Sequence, residues 1–253
     1  MEEDLKKAIL DAVDFDNCAL LFSGGVDSTT IAKILKDKAR KFRCYTAGVE
    51  NAEDVRWAKE VAEEMKLDWV FCKIELSREI LKEIMDIIGF KDVVSVSVAI
   101  PMYFACKQAS KDFKKVVSGL GTEEIFAGYQ RHKNLVPDYE AVHKECWRGI
   151  TEVIKKDLKR DSRIAEHFGM RIIFPFMNEK VIEQAMKIPA ERKITKETTK
   201  IILREIAEEL GVPKKVAWRK KRAAQYGSKA MKMLKKIAKQ NGFERIQDFL
   251  NSI

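Results

Sequence analysis

Few side chains in this sequence suit a metal knuckle or a disulfide. Its five cysteines, Cys18, Cys44, Cys72, Cys106 and Cys146, are odd in number, widely spaced and without a Cys-x-x-Cys pair. Three of them sit inside apolar, strand-like runs, so a disulfide framework and a zinc ribbon are both disfavoured and a reducing compartment is expected. Histidine is scarcer still, limited to His132, His143 and His167. His143 and Cys146 share a helix face, but two ligands do not make a metal site. Long apolar runs are missing as well. The least polar stretch, Val93 to Cys106, contains serines and Pro101 and is too short to span a bilayer. The opening Met-Glu-Glu-Asp-Leu-Lys-Lys is not a signal peptide. A soluble, cytoplasmic protein without a membrane partner is the expectation. No internal repeat or low-complexity linker divides the chain, which reads as one domain over 1–253.

Against this plain background, residues 18–30 are distinctive. An apolar run from Cys18 to Phe22 breaks at Ser23-Gly24-Gly25, and Asp27-Ser28 then opens a helix-periodic stretch. Strand, glycine turn and helix N-terminus together make an anion site from backbone amides. Glycine lets the chain approach a phosphate oxygen without a Cβ in the way. Ser23, Ser28 and Thr29 add hydroxyl donors, and Asp27 is a hard oxygen ligand suited to magnesium. The alternative is an ordinary strand-to-helix turn with a Ser/Asp cap. No Gly-Lys-Ser/Thr follows the glycines, so this is not a Walker A loop.

The first half alternates strand-like and helix-like segments. Strands are expected at 19–22, 42–46, 69–74 and 115–117, and helices at 28–38, 54–65, 77–88 and 100–109. This alternation predicts an α/β fold, a parallel twisted sheet with helices on both faces, over a nucleotide-binding core of about 15–130. Ligands of such sheets bind beyond the carboxyl ends of the strands. From about Tyr129 onward the strand signal fades, and a helical C-terminal half is expected over about 131–253. Helices are expected at 138–156, 179–187, 198–210 and 228–240, punctuated by Pro175, Pro189 and Pro213. Trp57, Trp69, Trp147 and Trp218 lie in apolar patterns and read as core.

The loop at Ser23 resembles the phosphate-binding loop of the ATP pyrophosphatases, Ser-Gly-Gly-x-Asp-Ser. The resemblance implies cleavage of ATP between its α- and β-phosphates, with the adenylyl group placed on a substrate oxygen and AMP then displaced by an amine. A second segment, Ser118-Gly119-Leu120-Gly121-Thr122-Glu123-Glu124-Ile125-Phe126-Ala127-Gly128-Tyr129, resembles the synthetase domain of asparagine synthetases, whose pattern is Ser-Gly-Glu-Gly-Ser-Asp-Glu-x-Phe-Gly-Gly-Tyr. Further matches follow in order. They are Ala47-Gly48-Val49 with Asp54, Pro101-Met102-Tyr103, Phe174-Pro175-Phe176-Met177-Asn178, Thr199-Lys200 with Leu203-Arg204, and Trp218-Arg219-Lys220-Lys221. The resemblance implies an adenine nucleotide alpha hydrolase-like fold, with ATP and Mg2+ as cofactors. It implies that Ser23, Gly24, Gly25, Asp27 and Ser28 hold pyrophosphate, with Asp27 and Glu123 on magnesium. Ala47 would contact adenine, Gly119 the nucleotide, and Lys221 the leaving pyrophosphate. Asp27, Glu123 and Lys221 are thus the expected catalytic residues.

The departures concern the acceptor. Leu120 replaces the family's loop glutamate. Val94 and Ser97 stand where the family has the threonine and arginine of its aspartate pocket, in a register set by Asp92 and Pro101. Residue 2 is Glu2 rather than the cysteine nucleophile of a glutaminase domain. Ammonia is therefore expected from solution or from a separate glutaminase subunit. Gly128-Tyr129-Gln130-Arg131-His132 and Arg222 to Ser228 resemble the asparagine-synthetase-domain-containing proteins. The acceptor and the number of copies in the assembly stay open, a homodimer included.

Net charge is +9, and its positive excess gathers late, in Lys214, Lys215, Arg219, Lys220, Lys221, Arg222, Lys229, Lys232, Lys235, Lys236 and Lys239. Such a patch suits ATP phosphates or RNA, and equally a bland basic helix face, so tRNA remains a candidate acceptor. A silent ATP- or AMP-binding regulator is a third reading, prompted by Leu120. His132 reads as a surface cap with a nucleotide-facing alternative. Lys200 and Arg204 read as a packed helix flank, with reach to phosphates as the alternative.

Overall fold

The computed structural model describes residues 1–219 and 227–253. A five-stranded parallel sheet runs in the order β3-β2-β1-β4-β5, formed by β1 (Cys18–Leu21), β2 (Phe42–Gly48), β3 (Trp69–Lys73), β4 (Lys115–Val117) and β5 (Arg171–Ile173). The helices α1 (Glu2–Ala12), α2 (Val26–Asp37), α3 (Glu53–Glu64), α4 (Arg78–Ile88) and α5 (Val93–Ala109) alternate with the first strands. Then come α6 (Thr122–Ile125), α7 (Gln130–Lys133), α8 (Tyr139–Val153), a π-turn at Ile154–Leu158, α9 (Lys159–His167), α10 (Glu179–Lys187), α11 (Ile201–Glu209) and α12 (Lys214–Ala217). Helices Ala230–Gln240 and Ile246–Asn251 close the chain.

β1 is central because its side chains are apolar on both faces, as a strand covered from both sides requires. The period of two divides them. Cys18 and Leu20 join a core with Ile31, Val61, Phe176 and Leu203. Ala19 joins the opposite core with Tyr45, Ile84, Ile100 and Phe249. Both helical halves of the chain contribute to these cores, so the C-terminal half packs onto the sheet rather than standing apart.

Several elements differ from the sequence expectation, α9 and the closing helix Ile246–Asn251 among them. β5 was not expected, because three residues at a sheet edge are too short to show a period. It extends the sheet beside β4, with Val116 opposite Ile172. α5 begins at Val93, seven residues before the expected start, and runs through Pro101. Asp92 caps it, accepting from the Ser95 N–H at 3.0 Å. The alternating Val-Ser pattern hides this helix, because burial of Ser95 and Ser97 removes the polar face that periodicity needs. α1 also lacked a sequence signal; Leu5 and Ile9 share one core with Val181 and Ala185 of α10. No single helix among the described residues is long and apolar enough to cross a membrane.

α9 carries a buried ion pair. Arg160 Nε donates to Asp161 at 2.7 Å, and its guanidinium also meets Asp157 of the π-turn. Arg160 is 2% exposed and Asp161 is 8% exposed. Arg160→Ala would leave the Asp161 carboxylate buried without its cation, so it should lower stability by roughly 3–5 kcal/mol. Urea denaturation checks this, with the double replacement Arg160→Met/Asp161→Leu expected to recover much of the loss.

Candidate active site

β2 and β3 lie on one side of β1, and β4 and β5 on the other. The crevice between the β1 and β4 loops is therefore a topological switch point, where a doubly wound sheet opens. At the end of β1 the chain turns at Gly24, whose φ of +65° suits glycine. A Cβ there would lie 2.9 Å from the Trp57 ring. Trp57 Nε1 donates to the Gly24 carbonyl at 2.7 Å and so holds the turn. Gly25 is the N-cap of α2 and brings no side-chain cap. Instead the serines tie the loop to itself. The Ser23 N–H donates to Ser28 Oγ at 3.2 Å, and Ser28 Oγ donates to the Gly25 carbonyl at 3.4 Å. This is not the Ser/Asp-capped turn of the alternative reading. An N-terminus without a side-chain cap, next to two glycines, leaves backbone N–H groups that could receive an anion.

The second loop follows β4. Gly121, at φ +102°, starts α6, and a Cβ on it would strike Met177 Sδ at 2.3 Å. Met177 belongs to the short 3-10 turn Pro175–Met177 that follows β5, so the unexpected strand delivers a wall to this loop. A Cβ on Gly119 would lie 3.1 Å from Asp27 Cβ. The two loops thus touch through a glycine, and Asp27 and Glu123 come to one place.

Lys200 meets them there. Its ammonium lies 2.9 and 3.1 Å from the two Asp27 oxygens, 2.7 Å from Glu123 Oε1 and 2.9 Å from Thr122 Oγ1. The Lys200 side chain is 4% exposed, Asp27 9% and Glu123 33%. Burial disfavours the lysine's charge, but the two carboxylates outweigh it and hold its pKa above the usual lysine value. Lys200 was expected on a helix flank; it is instead the centre of the cluster. Gly128 makes room, since a Cβ on it would lie 1.8 Å from Glu123 Oε2 and 2.6 Å from Lys200 Cε. The donor set fits magnesium, because two carboxylates from separate loops converge and both are hard oxygen ligands.

Arg204 has a different task. Its Nε donates to the Thr199 carbonyl at 2.7 Å and its guanidinium also reaches the Ala217 and Arg219 carbonyls. It braces the chain on both sides of the cluster, as the flank reading held. Arg219 stacks on Trp57 at 4.4 Å, and its guanidinium lies 3.8 Å from Asp54. Ala47, at the end of β2, is half-buried. Beside it the Val49 N–H donates to the Ser228 carbonyl at 3.1 Å. Gly227 lies so close to Asp54 that a Cβ would sit 1.5 Å from its carboxylate. Lys221 lies outside the described residues, as do Lys220 and Arg222.

The remaining candidates separate cleanly. His132 is buried rather than a surface cap; its Nδ1 accepts from the Tyr129 N–H at 3.1 Å. His143 accepts from Trp147 Nε1 at 3.1 Å, and no group of three metal-ligating residues occurs among the described residues. Trp147 is exposed, against the core expectation, because its helix position faces outward beside His143. Trp57, Trp69 and Trp218 are half-buried, each with a hydrogen-bonded indole. Ser97 is buried and donates to the Val94 carbonyl at 2.9 Å, while Val94 is exposed. Neither carries a charge for a carboxylate.

Comparison with known proteins agrees with this geometry. The sequence profile described as asparagine synthase matches residues 2–138 and 134–248. The chain belongs to the asparagine synthase family. It is 31% identical, over its whole length, to 54% of a putative glutamine-hydrolysing asparagine synthetase 1 of Methanocaldococcus jannaschii. It is 26% identical, over 87% of its length, to 42% of asparagine synthetase B of Escherichia coli K12. The chain thus spans about half the length of the curated relatives it matches. The NMN synthetase of Francisella tularensis has a similar fold, with a TM-score of 0.50 at 13% identity, covering 100% of this chain and 87% of that one.

Within this asparagine synthase fold His132 offers a pH test. Burial pushes its pKa down from 6.5 to about 4, and its Nε2 is buried without a partner among the described residues. The unfolded chain therefore binds a proton that the folded chain refuses between those values, and stability falls as pH drops through that window. The slope from this residue should reach ~1.4 kcal/mol per pH unit. Denaturation at pH 7 and pH 5 should show a smaller loss for His132→Gln than for the parent.

Proposed function

We propose that this protein binds ATP with magnesium across the two loops and cleaves it between the α- and β-phosphates, as an AMP-forming ligase of the asparagine synthetase type. The observation that carries the reading is the convergence of Asp27 and Glu123 on one buried ammonium beside the N-terminus of α2. Ser23, Gly24, Gly25 and Ser28 supply amides and hydroxyls to the pyrophosphate oxygens. Asp27 and Glu123 are the carboxylates that would hold Mg2+, which when bound neutralises charge on the leaving pyrophosphate. Ala47 borders the adenine, and Gly119 permits the nucleotide to lie against the loop. Lys221 is assigned to the leaving group from its sequence motif alone.

In the first step a carboxylate or carbonyl oxygen of the acceptor attacks the α-phosphorus. The bond to the bridging oxygen breaks, and that oxygen leaves with the electron pair as pyrophosphate. An amine then attacks the activated carbon and AMP departs. Leu120 cannot take the proton that the amine must lose, and Val94 with Ser97 leaves the acceptor site without an arginine. The acceptor is accordingly a molecule other than free aspartate.

Pyrophosphate release from ATP and Mg2+ is the test, run with aspartate plus ammonia, with other carboxylates and with tRNA. Release with an acceptor other than aspartate is the expected outcome; Asp27→Asn should lower it by at least about 10²-fold while the fold persists. ATP binding without release under every acceptor supports a silent regulatory role instead.

A nucleic-acid acceptor is the second reading, favoured by charge. Eleven of the 48 basic residues lie between Glu209 and Glu244, where no acidic residue occurs, leaving 37 against 39 acidic residues elsewhere. On the helix Ala230–Gln240, Lys232, Lys235, Lys236 and Lys239 are exposed. Other surface lysines, such as Lys82 and Lys187, have an acid one turn away. If this face takes RNA, tRNA affinity should fall with a log–log salt slope of about −3, and Lys235→Glu/Lys239→Glu should flatten it by roughly 1–2. A salt-insensitive affinity would remove this reading.

A further inference from the structure

Lys200 has an unusual setting for a phosphate-binding residue. All three ammonium hydrogens have acceptors, in Asp27, Glu123 and Thr122, at 2.7–3.1 Å. Its backbone adopts φ +57°, a left-handed conformation that costs a lysine free energy. The turn before α11 enforces it. Ile194 pairs with Thr199 across that turn, and the Ile201 N–H donates to the Lys193 carbonyl at 2.9 Å. Gly128 supplies the space the Glu123–Lys200 pair fills. Three independent features therefore place one ammonium between two carboxylates.

We propose that the Lys200 ammonium is the resident cation of the Asp27–Glu123 site and excludes a divalent ion until a nucleotide arrives. This rests on the reading above that these carboxylates are the magnesium ligands. The ammonium already offsets part of the charge of the two carboxylates, and the Arg204 guanidinium stands in their field as well. A divalent ion added alone would place itself beside a buried cation, which a low-dielectric setting penalises. A triphosphate changes the balance, because its oxygens accept from the ammonium and bind the metal in the same event. Metal entry is thereby coupled to nucleotide, and the carboxylates stay ordered between turnovers.

The probe is Mn2+, followed by the electron paramagnetic resonance signal of the unbound ion. It is titrated into the full chain with and without α,β-methylene-ATP. The parent protein should take up Mn2+ weakly without the analogue. Lys200→Gln should bind Mn2+ alone at least tenfold more tightly than the parent, and Mn2+ alone should raise the melting temperature of the variant but not of the parent. Lys200→Arg, which keeps the charge, should behave as the parent. Equal Mn2+ affinity in the parent and Lys200→Gln overturns the proposal. Should Lys200→Gln fail to fold, refolding in Mn2+ should rescue it; failure with and without Mn2+ also overturns the proposal. Mn2+ that does not bind to the parent even with the analogue overturns instead the assignment of these carboxylates to magnesium.

Discussion

The two loops of the site are held together by one buried ammonium. Asp27 comes from the first turn of α2 and Glu123 from the first turn of α6, and each alone would be a carboxylate near a helix N-terminus. Brought within reach of each other they repel, and the Asp27 side chain has little water to screen it. Lys200 turns that repulsion into attraction from both sides. Its position depends on the chain far downstream, through the left-handed turn before α11. The C-terminal half therefore completes the site that the N-terminal half begins.

Glycine determines how close these parts can come. Gly24 accepts the Trp57 ring, Gly119 accepts Asp27, Gly121 accepts Met177, and Gly128 accepts the Glu123–Lys200 pair. In each case a Cβ would meet another segment of the chain. Gly227 does the same for Asp54 on the side facing β2. Arg204 braces this closure by joining the Thr199, Ala217 and Arg219 carbonyls. These contacts pack the loops closely around their charged groups. Leu120, Val94 and Ser97 bring no ionised group of their own.

Much of this was readable beforehand. The strands β1 to β4 and the helices α2, α3, α4, α8, α10 and α11 lie within a few residues of the expected segments, since their apolar residues repeat with clear periods. The Ser23–Ser28 loop and the Ser118–Tyr129 segment pointed to the family because their glycines and oxygens stand at fixed spacing. Short or uniformly apolar elements were not legible. β5 has three residues, and the first turns of α5 bury Ser95 and Ser97 while exposing Val94, so no polar face marks them. His132 looked like a surface group because a lone histidine among polar neighbours shows no burial signal.

The residues within each loop are local neighbours, so their order alone states the chemistry of a glycine turn, hydroxyl donors and a hard carboxylate. Family and parallel sheet follow from sequence for that reason. Lys200 is 173 residues from Asp27, and nothing in its neighbourhood distinguishes an ammonium on a helix flank from one buried between two acids. Only the packing of α11 against α2 decides that, because charge pairing acts through space and sequence separation carries no record of it.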